Sequence, residues 1–162
     1  MAAVDYFIKL DGIDGESADA KNKNEIDIES WSWGATHSGG ARPGGGANAG
    51  KVSVQDFHFV MRLNKASVGL AKACATGRHI KEATLSARKA GKGQQDYLTY
   101  KFYDILVSSY QTGAAEEADE LPTDAVSLNF AKLEVAYRPQ KSDGSLAAAV
   151  TFKYDLKANK TF

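Results

Sequence analysis

The sequence predicts an all-β protein, a small barrel or sandwich of two antiparallel-rich sheets with one flanking α-helix at about residues 65–76. Three observations carry this. Seven segments alternate apolar and polar residues at the period of a strand and are separated by Gly, Asp and Pro turn signals. One segment alone has helical spacing. Several strand-like segments also present apolar residues on both faces, or on a face that changes partway along. Strands of that kind need a bulge that re-aims them or a second surface that covers them.

The elements follow in order. Val4 to Leu10 places Val4, Tyr6, Ile8 and Leu10 on one face, a half-buried strand. Asp11-Gly12 and Asp14-Gly15 read as turns, and Glu16 to Asn24 as a solvated loop. In Glu25 to Trp33 the apolar parity moves from Ile26 and Ile28 to Trp31 and Trp33. Residues 38–50, SGGARPGGGANAG, cannot hold regular structure at reasonable entropic cost and form a long loop within a single domain spanning 1–162. Lys51 to Arg62 switches from Val52 and Val54 to Phe57, Phe59 and Met61, which predicts a bulge near Gln55-Asp56.

Asn64 is an N-cap candidate for a helix over Lys65 to Thr76, with Val68, Ala71, Cys74 and Ala75 as its apolar stripe and Gly77 as its C-cap. Strands follow at Ile80 to Lys89, Asp96 to Gln111, Asp124 to Arg138 and Leu146 to Leu156. An acidic loop, Gly113 to Pro122, and a Ser142-Asp143-Gly144 hairpin turn separate the later ones.

Composition removes several functions. Twenty basic and twenty acidic residues cancel, which argues against nucleic acid or an anionic membrane as main partner. No apolar run reaches membrane-spanning length, and the N-terminus lacks a basic, then apolar, secretory signal. The single cysteine, Cys74, allows no internal disulfide and reads as a small core residue. Gly45-x-x-x-x-Gly50-Lys51 has phosphate-loop spacing, but Val52 stands where the Mg²⁺-binding hydroxyl belongs and a strand follows instead of a helix. His37, His58 and His79 have no partner at metal-ligand spacing. No cofactor or metal is expected. Glu25, Asp27 and Glu29 share a strand face and are the residues a glycoside hydrolase would use, although alternating acids also describe a wet strand.

Two charged clusters invite pairing. Arg78, Lys81, Arg88, Lys89 and Lys92 stand against the lone Glu82, and Glu116, Glu117, Asp119, Glu120 and Asp124 crowd the later loop. Read as solvated surface they do nothing. Read as a head-to-tail contact they set the register of one subunit on the next.

The residues in these elements resemble one family along nearly the whole chain. Ile8 to Ser17 (IKLDGIDGES), Glu25 to Gly34 (EIDIESWSWG), Ala73 to Lys89 (ACATGRHIKEATLSARK) and Leu106 to Gly113 (LVSSYQTG) resemble the haemolysin-coregulated proteins, Hcp. Ser127 to Glu134 (SLNFAKLE), Tyr137 to Gln140 and Tyr154 to Lys160 do so as well. The resemblance implies a non-enzymatic structural subunit of the bacterial type VI secretion inner tube. It implies six copies closed into a ring, rings stacked into a tube, and small effector proteins held in the lumen. A contractile sheath and a trimeric spike protein are the implied further partners, with assembly in the cytoplasm before delivery outside the cell. The loop residues Gly39, Gly40, Ala41, Arg42, Pro43, Gly44, Gly45, Gly46 and Asn48 would serve ring stacking. Trp31, Trp33, Arg88, Lys89, Glu116 and Glu117 are the candidate contact residues between subunits. The alternatives are a secreted carbohydrate-active domain and a ligand-binding β-domain with the Gly-rich loop as a lid.

Overall fold

The computed structural model describes residues 4–37, 52–89, 95–116 and 121–162. Among them run twelve strands and one helix: β1 (Val4–Leu10), β2 (Ile26–Ile28), β3 (Ser30–Ser32), β4 (Ala35–His37), β5 (Val52–Val54), β6 (Phe57–Arg62), α1 (Lys65–Thr76), β7 (His79–Lys89), β8 (Asp96–Gly113), β9 (Thr123–Asn129), β10 (Lys132–Tyr137), β11 (Val150–Asp155) and β12 (Lys160–Thr161). Every pairing is antiparallel. Ten strands belong to one curled sheet, and β4 with β5 forms a separate two-stranded ribbon. The curl does not close as a continuous barrel: β2 pairs with β1 and β3 pairs with β6, and between them the Glu29 amide donates to the Val60 carbonyl at 2.9 Å.

The changes of apolar parity become intelligible here. Ile26 and Ile28 are buried in β2, which pairs beside β1, and one residue later the chain crosses to β6, so Trp31 enters the same core from another strand. Gln55 and Asp56 interrupt the next strand where the bulge was expected: Val52 and Val54 go to the ribbon, and Phe57, Phe59 and Met61 go fully into the core. The predicted strand over Asp124 to Arg138 likewise divides, because β9 follows the C-terminal half of β8 while β10 follows its N-terminal half. Between the halves Asp104 takes φ 54°, a left-handed conformation that turns the long strand. Several switches are therefore corners inside one subunit.

The core is aromatic. Trp31 packs edge-on to Tyr6 at 6.0 Å and lies 5.2 Å from Tyr100 between ring centroids; Phe57 and Phe102 are 4.7 Å apart, and Phe102 and Phe130 4.8 Å. Such pairs add directional contact to the burial of large apolar area.

Helix α1 spans the predicted residues with the predicted caps. The Asn64 side chain accepts from the Ala66 amide at 2.8 Å, the Asn64 amide donates to Ser67 Oγ at 3.0 Å, and Gly77 closes the helix at φ 67°. No acidic residue lies in the first turn. Carboxylates from elsewhere substitute: Glu16 Oε2 accepts from the Lys65 amide at 2.9 Å, and the fully buried Asp124 accepts from Ser67 Oγ at 2.5 Å and Tyr110 Oη at 3.0 Å. The fully buried stripe is Ala66, Ser67, Leu70 and Ala73; of the predicted Val68, Ala71, Cys74 and Ala75, Cys74 packs half-buried against the core and Ala71 is half-buried, whereas Ala75 is exposed and Val68 is 77% exposed. The hydroxyl of Ser67 earns its inward place by bonding Asp124, which rotates the helix away from the purely apolar choice.

Candidate assembly surface

The inner face of the sheet runs out past its own cover. Across β8, β10 and β11 the aligned residues Tyr100, Val135 and Phe152, then Leu98, Tyr137 and Val150, continue the core face toward one end. Tyr137 is 47% exposed, Val150 66% and Phe152 45%. Beside them the β4–β5 ribbon stands off the sheet, leaving an apolar groove of 150 Å³ lined by Trp33, Val52, Val54, Phe152, Tyr154 and Leu156. Val150, Phe152 and Tyr154 share one face of β11, and that face is largely uncovered. Large apolar side chains clustered in this way mark a surface made for a partner.

The proposed contact residues are distributed unequally. Trp31 uses its faces on Tyr6, Phe57 and Tyr100 inside its own subunit. Trp33 lines the groove, and its indole Nε1 is buried without a hydrogen-bond partner. Arg88, expected on an open positive patch, is 3% exposed and is a buried anchor instead. Its two terminal nitrogens grip the Asp19 carboxylate at 2.8 Å each, one reaches Asp5 at 3.3 Å, and the guanidinium lies 5.0 Å over the Phe7 ring. This grip holds the carboxyl of Asp19 down to about 2 and pushes the guanidinium further up. The loop that seemed merely solvated is thereby tied to β1 and β7. Lys89 is exposed at the sheet end, donates to Gln140 Oε1 at 3.2 Å and lies over Tyr97. Glu116 is exposed. Glu117 and the loop residues Gly39 to Asn48 lie outside the described residues.

A second face is polar and built of small side chains. Ser32, His58, Ser127 and Ser109 align across β3, β6, β9 and β8, pointing away from the core. His58 Nδ1 and Ser127 Oγ are 3.1 Å apart, a nucleophile–base distance. The nearby carboxylate of Asp56 accepts from Ser108 Oγ at 2.5 Å and Asn129 Nδ2 at 3.0 Å, so those donors occupy it in place of the imidazole. The acids proposed for glycoside chemistry are also engaged elsewhere. Glu29 accepts from Arg62 Nε at 2.7 Å; burial first, then the neighbouring Asp5 and Asp19 carboxylates, push up the carboxyl of Asp27, and burial is also the main cause for Glu25, which lies off the groove that Asp27 and Glu29 share. Among the described residues no three His, Cys, Asp or Glu side chains gather as a metal would require, and no helix is long and apolar enough to cross a membrane.

A curled antiparallel sheet with one capped helix and an uncovered apolar end defines an all-β scaffold. The family model described as "Type VI secretion system effector, Hcp" matches residues 7–137. The chain belongs to the Hcp family of type VI secretion proteins. It is 43% identical to Protein hcp1 of Pseudomonas aeruginosa over 159 residues, covering 97% of this chain and 98% of that one. Among solved structures, one described as a type six secretion system protein superposes with a TM-score of 0.92 at 29% identity, over 99% of this chain and 100% of the other. Hcp1 from Salmonella typhimurium superposes at 0.81 with 37% identity over the full length of both. The protein is thus a secreted, structural component of a type VI secretion system, a tube protein.

Proposed function

We propose that six copies of this chain close head to tail into a ring, that rings stack into the inner tube, and that the lumen holds small effector proteins. The observation that carries the reading is the run of Tyr137, Val150 and Phe152 from the core face into solvent beside an apolar groove. A repeated heterologous contact either closes into a ring or grows as an open helix, and closure covers this surface on every copy.

The bore fits the small polar face. Ser32, Ser109 and Ser127 with His58 would present hydroxyls to a passing protein with little steric obstruction and no sticky apolar patch. The loop Gly39 to Asn48 serves stacking between rings, in line with its composition. The sheath and the trimeric spike are the outer and terminal partners, and no bond is made or broken by the subunit itself. Assembly precedes delivery and takes place in the cytoplasm.

Negative-stain images of the purified protein test this directly. Annuli with a clear central hole are expected. Featureless small particles at high protein concentration contradict the ring.

A further inference from the structure

We infer that the polar face carrying His58 and Asp56 holds basic protein segments at neutral pH and releases them on acidification. This rests on the reading that the face lines the bore, and it adds the chemistry of the cargo and the signal that frees it.

Among the described residues this face carries few charges. His58 lies between Ser32 of β3 and Ser127 of β9, with Ser109 of β8 beyond. Its next neighbours on the same side are Ser30 of β3, Val60 of β6, Ala125 and Asn129 of β9, and Gln111 of β8. Arg62, further along β6, donates to Glu29 at 2.7 Å, so those two charges offset each other. Asp124 of β9 is fully buried on the core side, against Ser67 and Tyr110. Asp56 remains. Its carboxylate accepts from Asn129 Nδ2 at 3.0 Å and Ser108 Oγ at 2.5 Å, which seats it on this face. Both donors are neutral, so they orient the negative charge without cancelling it.

Charge complementarity selects a basic occupant. In the ring each copy presents one such carboxylate to a shared cavity, where walls of low dielectric concentrate the field. The surrounding hydroxyls bring no competing charge. Lysine or arginine side chains of a cargo segment are the groups this arrangement attracts.

His58 supplies the release. Histidine is the side chain whose charge ordinarily changes between about pH 5 and pH 8. A proton on His58 places a positive charge two residues from Asp56 and opposes the approach of a cation. The fold tolerates the change. His58 Nδ1 lies 3.1 Å from Ser127 Oγ, and a hydroxyl either donates or accepts, so the contact suits the neutral and the charged imidazole.

The test measures binding of a rhodamine-labelled hexalysine peptide to the assembled protein by fluorescence anisotropy at pH 7.5 and pH 5.5. Binding at pH 7.5 that weakens several-fold at pH 5.5 is expected. His58→Asn should bind alike at both, and Asp56→Asn should bind several-fold more weakly at both. Ser32→Asp adds a second carboxylate at an exposed position and should tighten binding, which decides the matter if Asp56→Asn disturbs the turn that its side chain holds. Asp11→Asn, an exposed carboxylate outside this face, is the control and should bind like the unaltered protein. Undiminished binding by a folded Asp56→Asn, unchanged binding by Ser32→Asp, or an undiminished pH response in His58→Asn overturns the inference. Six-subunit particles that bind no peptide overturn it too and leave the ring standing. Single-subunit particles whose binding still follows Asp56 and His58 remove the ring and keep this site.

Discussion

Arg88 and Asp19 form a two-pronged ion pair, 2.8 Å at each prong, between residues 69 positions apart in the chain. The pair ties the polar loop around Asp19 to β7, with the guanidinium over the buried Phe7 ring. Planar guanidinium and carboxylate match geometrically, and such bonds are the stronger kind in proteins.

Acid should loosen this loop. Asp19 titrates at about 2 in the folded chain against about 3.9 in an unfolded one. The unfolded state therefore takes up the proton first as pH falls, so the pair's contribution is complete above about pH 4 and is lost on the way down to about pH 2. Glu25 and Asp96 act with the opposite sign, because burial raises their carboxyls and the folded state binds their protons more readily. Thermal melts between pH 6 and pH 2 should show stability falling below pH 4. Asp19→Asn should lower the melting temperature by several degrees at pH 7 and flatten the fall below pH 4. An unchanged acid profile in Asp19→Asn contradicts this.

The helix is held from outside its own sequence, which predicts where it is vulnerable. Ser67→Ala removes one of the two donors on the fully buried Asp124, whose Oδ1 already has no partner. Leaving a buried polar group poorly satisfied costs about 1–3 kcal/mol. Asn64→Ala removes the cap and should cost about 1 kcal/mol. Urea denaturation measures both, and Ser67→Ala should be the more damaging of the two.

Two aromatic residues should separate folding from assembly. Trp31→Ala cuts into the aromatic core and should destabilise the subunit by about 3–5 kcal/mol. Phe152→Ser alters a side chain that is 45% exposed and should change subunit stability by less than about 1 kcal/mol. Its effect should instead appear in the mass of the assembled particle, as loss of the ring. If Phe152→Ser assembles like the unaltered protein, the apolar end is not the contact.

Shortening Ala41 to Ala49 should leave rings intact and reduce their stacking and secretion. Electron microscopy of the shortened protein distinguishes loose rings, as expected, from an absence of rings, which contradicts a stacking role for this loop.

Local pattern made much of the fold legible. Asn64 and Gly77 bracket α1 because capping chemistry is local, and the parity change between Val54 and Phe57 marks the bulge because strand geometry has a period of two. Long-range partners were not legible. Nothing near Arg88 in sequence announces Asp19 or Asp5, so a buried anchor read as a patch charge. Val68 looked like core and is solvent-exposed because Ser67 is drawn inward by an aspartate 57 residues away. A parity change does not by itself mean surplus apolar surface: at Ile28 and Trp31 a corner within the subunit suffices, whereas Val150 and Phe152 are exposed without any such change. The ribbon strand β4, Ala35–His37, carries no apolar alternation and gave no signal.

In the proposed ring, identical neighbours in a closed circle cover the apolar end that each subunit leaves open. Multi-angle light scattering on the eluting protein, across a hundredfold range of concentration, decides whether that circle forms. One sharp species of six subunits, with a mass that does not climb with concentration, is expected. A single well-folded subunit at the highest concentration, or a mass that rises without limit, would contradict it.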